Sequence, residues 1–192
     1  MIQATAEAQV PTTSTDPDAQ DVAAAAGGDL QAAGRLYRRH RTRVTSLARC
    51  VTGSPRDAED VCQETFIRAL GGLGRFRGQA QFKTWLCRIA LNQARNALAS
   101  RKTRQRLELL EGGSERMEPI SQRPLAELSV ALARALAHLS ERQRDVLICH
   151  DVLGMKHEEI AYVLECASGT SKVQLHRARL RLRELLSPRG ES

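Results

Sequence analysis

At 192 residues, 42% hydrophobic and +7 in formal charge, the chain has room for a packed core. Aromatic residues at 3%, with a single Trp, exclude a large aromatic-rich β-sandwich or barrel, whereas the abundance of Ala, Leu, Arg, Glu and Gln favours helices. No apolar run is long enough to span a membrane and the N-terminus lacks a signal peptide's basic start and apolar stretch, so neither membrane insertion nor export is expected.

The charge is unevenly placed. Glu7, Asp16, Asp18, Asp21 and Asp29 precede the first basic residue, Arg35, leaving +12 on the rest of the chain. A surplus of that size points to a polyanion, most simply nucleic acid, because neutralised phosphates release their counterions. Five cysteines (Cys50, Cys62, Cys87, Cys149, Cys166) form no CxxC pair, and the odd number fits a reducing cytoplasm.

Residues 1–28 combine PTTSTDPD with AAAAGG and show no periodic apolar face, so they read as a flexible acidic tail without a fold. From Asp29, a candidate N-cap, Leu30, Ala33, Leu36, Tyr37, Val44, Leu47, Ala48 and Val51 recur at helical spacing up to Gly53. Ser54 followed by Pro55, with Asp57 in the first turn, opens a second helix. Its apolar stripe of Ala58, Val61, Cys62, Thr65, Phe66, Ala69 and Leu70 ends at Gly71-Gly72. Gly74 to Gly78 is a basic loop with one aromatic residue, Phe76. A third helix carries Phe82, Trp85, Leu86, Ile89, Ala90, Ala94, Ala97 and Leu98 and runs into the basic segment Arg101 to Arg106.

Periodicity falters over 107–123, where Gly112-Gly113-Ser114 and Pro119 place a flexible linker between two domains, 29–106 and 124–192. A fourth helix is expected from Leu125 to Leu139. Ser140 with Gln143 forms a capping-box pattern that opens a fifth, with Gly154 placed to stop it. A short helix around His157 to Leu164, a turn at Glu165 to Ser168 and a long basic helix from about Gly169 to Leu186 have the form of a helix-turn-helix. The expected fold is all-α: two small helical domains, the C-terminal one a helix-turn-helix.

Three constellations stand out. In the last helix, Thr170, Ser171, Lys172 and Gln174 cluster at the end that enters a major groove, where Lys reaches guanine acceptors and Gln pairs with adenine, while Arg177, Arg179 and Arg181 hold phosphates. An ordinary solvated basic helix is the alternative. Asp57, Asp60 and Glu64, flanked by Glu59 and Gln63, form an acidic ridge on the second helix that repels itself and so calls for a protein partner, with a solvated face or a carboxylate metal cluster as the other readings. Arg75, Phe76, Arg77, Phe82, Lys83 and Trp85 mix rings and cations as a single-strand binding surface does, although Phe82 and Trp85 also fit the core. Cys149-His150, His157 and Cys166 lack a recognised metal spacing, and no catalytic signature such as a Walker loop, GxSxG or HExxH occurs. No metal, cofactor or catalytic residue is expected.

With these segments in hand, the chain resembles the sigma-70 family, in particular its compact extracytoplasmic-function (ECF) group, from about Asp29 to Leu186. DAEDVCQETFIRAL (Asp57 to Leu70) and FKTWLCRIALNQARN (Phe82 to Asn96) match the family's N-terminal domain, and LSERQRDVLICHDVLGMKHEEIAYVL with GTSKVQLHRARLRLREL is similar to its C-terminal domain. The resemblance implies a specificity subunit that carries RNA polymerase to promoters. Asp57, Glu59, Asp60, Gln63 and Glu64 would meet the β′ clamp helices. The loop Gly74 to Gly78, with Arg75, Phe76 and Arg77, and the face with Lys83, Trp85, Asn92, Arg95 and Asn96 would melt and read the -10 element. Thr170, Ser171, Lys172, Gln174, Arg177, Arg179 and Arg181 would engage the -35 element, and Leu139, Val146 and Leu147 would dock near the β flap. An anti-sigma factor is implied by membership. Glu165 stands where the family usually has a turn glycine. A stand-alone helix-turn-helix regulator and a metal-dependent nuclease using Asp57, Asp60 and Glu64 are the rival readings.

Overall fold

The computed structural model describes residues 16–110, 135–136 and 138–187. Among these the chain is helical, with no strand. The elements are α1 (Ala19–Ala26), α2 (Leu30–Thr52), α3 (Pro55–Gly72), a 3-10 turn (Leu73–Arg75), α4 (Phe82–Leu110), α5 (Glu141–Leu147), a π-turn (Ile148–Val152), α6 (His157–Leu164) and α7 (Ser168–Leu186).

Local chemistry sets the boundaries. The Asp29 carboxylate accepts from the free N–H groups of Gln31 and Ala32, and Gly53, at φ 68°, closes α2 in the left-handed conformation that glycine adopts without a Cβ clash. The Ser54 hydroxyl accepts from the Asp57 N–H while Pro55 occupies the first helical position of α3. Ser140 and Gln143 form the expected reciprocal capping box of α5. Helix α4 continues to Leu110, beyond the expected domain boundary at 106. Most of the expected fourth helix and of the linker lies outside the described residues.

Helices α2, α3 and α4 pack around Leu36, Val44, Leu47, Phe66, Phe82, Leu86 and Leu91. In the C-terminal unit α5, the π-turn, α6 and α7 enclose Val146, Ile148, Cys149, Ile160, Leu175 and Ala178. The two units meet where α6 lies on α4 and the π-turn on α2.

One expectation is corrected. Residues 1–28 are not uniformly without a fold, because Ala19–Ala26 form a helix packed on α2. Charge pairing explains it. The buried Asp18 carboxylate takes bonds from Arg39 and from His40 at 2.7 Å, and Asp21 pairs with Arg35 at 2.8 Å and Arg39 at 3.1 Å. The arginines hold Asp21 below the usual carboxylate range, with the Arg35 hydrogen bond the main cause. Asp16 accepts from the Phe82 N–H at 2.6 Å, so the acidic segment also caps the start of α4.

Candidate nucleic-acid and partner-binding surfaces

The acidic ridge sits on the outer side of α3, but its members are not equivalent. Asp57 is tied to Arg101 of α4 at 2.9 Å, and Glu64 to Arg68 one turn on. Glu59, Asp60 and Gln63 are exposed, and among the described residues neither Glu59 nor Asp60 has an ion-pair partner. Ile67 continues the ridge and is 67% exposed. Outward carboxylates beside an uncovered branched apolar side chain make a surface suited to a protein partner. Among the described residues no three His, Cys, Asp or Glu side chains gather as metal ligands.

The aromatic residues of the basic loop form one cluster. Phe76 stacks obliquely on Trp85 at 5.0 Å between centroids and meets Phe82 edge-on at 6.1 Å. Phe82 is fully buried, so it belongs to the core, whereas Phe76 and Trp85 are half-buried and keep part of their rings accessible. Arg75 and Arg77 point into solvent on either side. Next to them, Val22, Leu73, Phe76, Arg77 and Gln81 line a cleft of about 510 Å³ whose far wall is α1.

Further along α4, Asn92 and Asn96 are exposed, while two expected DNA contacts are engaged by the C-terminal unit. The Arg95 guanidinium bonds the buried carboxylate of Asp145 and lies 3.0 Å from Glu141. Lys83 is 3.6 Å from Glu159, which also accepts from the Thr84 hydroxyl at 3.0 Å and caps the start of α6. Arg88 pairs with Glu165, and Arg43 donates to the Leu153 carbonyl at 2.8 Å. Burial raises the Asp145 carboxyl above its ordinary value, opposed by the bond from Arg95. Cys87 and Cys149 are buried near this seam; desolvation pushes the Cys87 thiol up to about 11 and the Cys149 thiol higher still, so neither carries a reactive thiolate at neutral pH.

The helix-turn-helix shows which side of α7 faces outward. Ser171, Leu175 and Ala178 are buried against α5 and α6. Ser171 does not lie on the outward face where it was expected: it is fully buried and its hydroxyl meets His157 Nδ1 at 2.9 Å, pinning α7 to α6. Lys172 and Arg177 are exposed as expected, and Thr170 and Gln174 sit half-buried on a shoulder. Arg179 is held by Asp151 of the π-turn, and Arg181 by Glu184 at 3.0 Å. Gly169, Val173, His176 and Leu180 form the outermost strip. The hydrophobic residues of this helix only partly segregate in the sequence, so spacing gives no sharp phase and does not show that Val173 and Leu180 face outward.

The turn before α7 departs from common chemistry. Glu165 adopts φ 50° and ψ 54°, the only described non-glycine residue with positive φ. Its side chain reaches Arg88 on α4.

This is an all-α DNA-binding architecture in which a helix-turn-helix unit is joined to a helical unit bearing an acidic ridge and a basic, aromatic loop. Residues 36–104 match the family model Sigma-70 region 2, and residues 129–182 match Sigma-70, region 4. The chain is 34% identical over 170 residues to the ECF RNA polymerase sigma factor SigM of Mycobacterium tuberculosis, covering 88% of this chain and 84% of that one. To the RNA polymerase sigma-H factor of Pseudomonas aeruginosa it is 31% identical, covering 90% and 95%. Its fold is similar to that of CnrH in complex with the cytosolic domain of CnrY, with a TM-score of 0.71, 29% identity and coverage of 90% and 99%. It is also similar to the sigma factor RpoE in complex with the anti-sigma factor NepR from Bartonella quintana (TM-score 0.65, 26% identity, coverage 82% and 98%). The chain belongs to the ECF group of the sigma-70 family and acts in promoter-directed transcription initiation by RNA polymerase.

Proposed function

We propose that the protein works by position alone, as a non-catalytic cytoplasmic subunit that gives core RNA polymerase two promoter contacts at once. The observation that carries this reading is the division of surfaces: an acidic ridge on α3, rings and cations around 74–85, and a basic outward strip on α7 lie on one chain. Glu59, Asp60 and Gln63, with Asp57 and Glu64 at the margins, bind the β′ clamp helices. Arg75, Phe76, Arg77, Trp85, Asn92 and Asn96 receive the unpaired -10 strand, in which bases stack on rings while cations follow the phosphates. The cleft beside Phe76 is large enough for a splayed base. Lys172, Arg177, Thr170 and Gln174 engage the -35 duplex. The 29–106 and 124–192 units act as the two promoter-binding domains, and Val146 and Leu147 belong to the unit that docks near the β flap. Linking two weak contacts raises the effective concentration of the second.

Lys83 and Arg95 are bound to carboxylates of the C-terminal unit, so their use on DNA requires the two units to part. An anti-sigma factor that favours the packed arrangement would keep the protein silent. The test is run-off transcription by core enzyme with wild-type protein on a promoter library, with permanganate probing of unpaired thymines. Promoter-specific transcripts with an open -10 region support the reading. Tight binding to a duplex operator without polymerase, and no transcript, would replace it with the stand-alone regulator.

A further inference from the structure

Resting on the reading of α7 as the helix that enters the -35 duplex, we propose that Val173 reads a thymine there, through the C5-methyl group in the major groove. Val173 lies opposite the buried stripe of Ser171, Leu175 and Ala178 and is 48% exposed. A branched apolar side chain left about half exposed on an outward helix face gains little for the fold. Its surroundings select the partner. Lys172, His176 and Arg177 flank it, and the nearest acidic residue on the helix is Glu184, near the far end. That strip favours nucleic acid over an apolar protein groove, which would leave the cations without partners.

One turn earlier on the same strip stands Gly169, with open space where a Cβ would be, so the helix backbone can approach the base edges closely at its N-terminal end. Val173 is then the first side chain on the strip's midline to enter the groove. It has no donor or acceptor, and the apolar feature that the major groove offers is the methyl group of thymine. Burial of one methyl-sized contact corresponds to about a fourfold change in affinity. Lys172 and Arg177, reaching to phosphates or guanine acceptors on either side, set the register without specifying this base pair. His176 shares the strip and contributes a ring edge further along the groove.

The test uses holoenzyme reconstituted from core RNA polymerase and the full chain, on the promoter that it selects most strongly from a random library. Each thymine of the upstream element is replaced in turn by uracil, which removes only the methyl group. At one position the replacement should weaken wild-type holoenzyme about fourfold and leave Val173→Ala holoenzyme unchanged, and the variant should select a library degenerate at that position. The site is exposed and Ala is the better helix former, so the variant folds. Lys172→Ala and Arg177→Ala should weaken all duplexes alike. If wild type and Val173→Ala respond identically to every uracil, the thymine reading is overturned while promoter binding by α7 stands. If Lys172→Ala and Arg177→Ala also leave duplex affinity untouched, both readings fall.

Discussion

Arg95→Ala should open the protein, and Asp145→Asn should not. Asp145 is 1% exposed and its cation is Arg95, one third exposed, which reaches it from α4 in the other unit. Removing one partner of a fully buried pair costs about 3–5 kcal/mol because the remaining charge is stranded. Here Arg144 lies close enough to help the carboxylate and Arg95 is partly solvated, which reduces the penalty to about 2–3 kcal/mol. The chain escapes that penalty by undocking, so the ratio of docked to open forms should fall roughly 30- to 150-fold. Asp145→Asn keeps an acceptor for the guanidinium and removes a buried charge, and should shift the ratio by less than about fivefold. Acid gives a second signature. Asp145 has a raised pKa in the docked form, so that form holds its proton more tightly; docking of Arg95→Ala should recover as pH falls through the raised value and weaken again as pH rises. Small-angle scattering and amide exchange along α4 report the outcome. Equal expansion in both variants, or no dependence on pH, would refute the argument.

Three further predictions concern stability. His157 bonds Ser171, and burial is the main cause of its lowered pKa, so the C-terminal unit should lose stability as pH falls below about 6.5 and through the lowered folded value; thermal melts of wild type and His157→Gln should diverge in that window and converge above it. Glu165→Ala and Glu165→Gly both delete the exposed pair with Arg88, but only Ala keeps a Cβ at φ 50°, so the Gly variant should be the more stable by about 1 kcal/mol in denaturant titration. Asp18→Ala leaves the buried His40 ring without its carboxylate, while Arg39 keeps Asp21, and should cost about 1–3 kcal/mol, with faster exchange in α1 and at the start of α4; unchanged exchange there would show that Asp18 does not hold α1 in place.

Most of the fold was legible because its stops and starts are written in short-range chemistry. Asp29, Gly53, Ser54-Pro55 and the Ser140/Gln143 box each act within one turn of the backbone, so spacing alone locates them. Helix α1 was missed for the opposite reason. Its acids look like an unfolded tail until Arg35, Arg39 and His40 come alongside from a different helix. The same holds at α7, where Ser171 reads as an outward polar residue until His157 of α6 packs over it. Pairs such as Arg95 with Asp145 and Arg88 with Glu165 join residues far apart in sequence and leave no local pattern. Arg95, and Lys83 beside Glu159, were therefore expected to be free for DNA.

On α3, the surface proposed for core RNA polymerase, Glu59 and Asp60 stand exposed and have no ion-pair partner among the described residues. The direct measurement is the affinity of the full chain for core enzyme, wild type against Glu59→Ala/Asp60→Ala, with circular dichroism to verify the helices. Wild type should bind tightly and the variant should lose at least tenfold, corresponding to about 1.4 kcal/mol, with its fold intact. Equal binding by both proteins, or no binding by wild type, would contradict that role for α3.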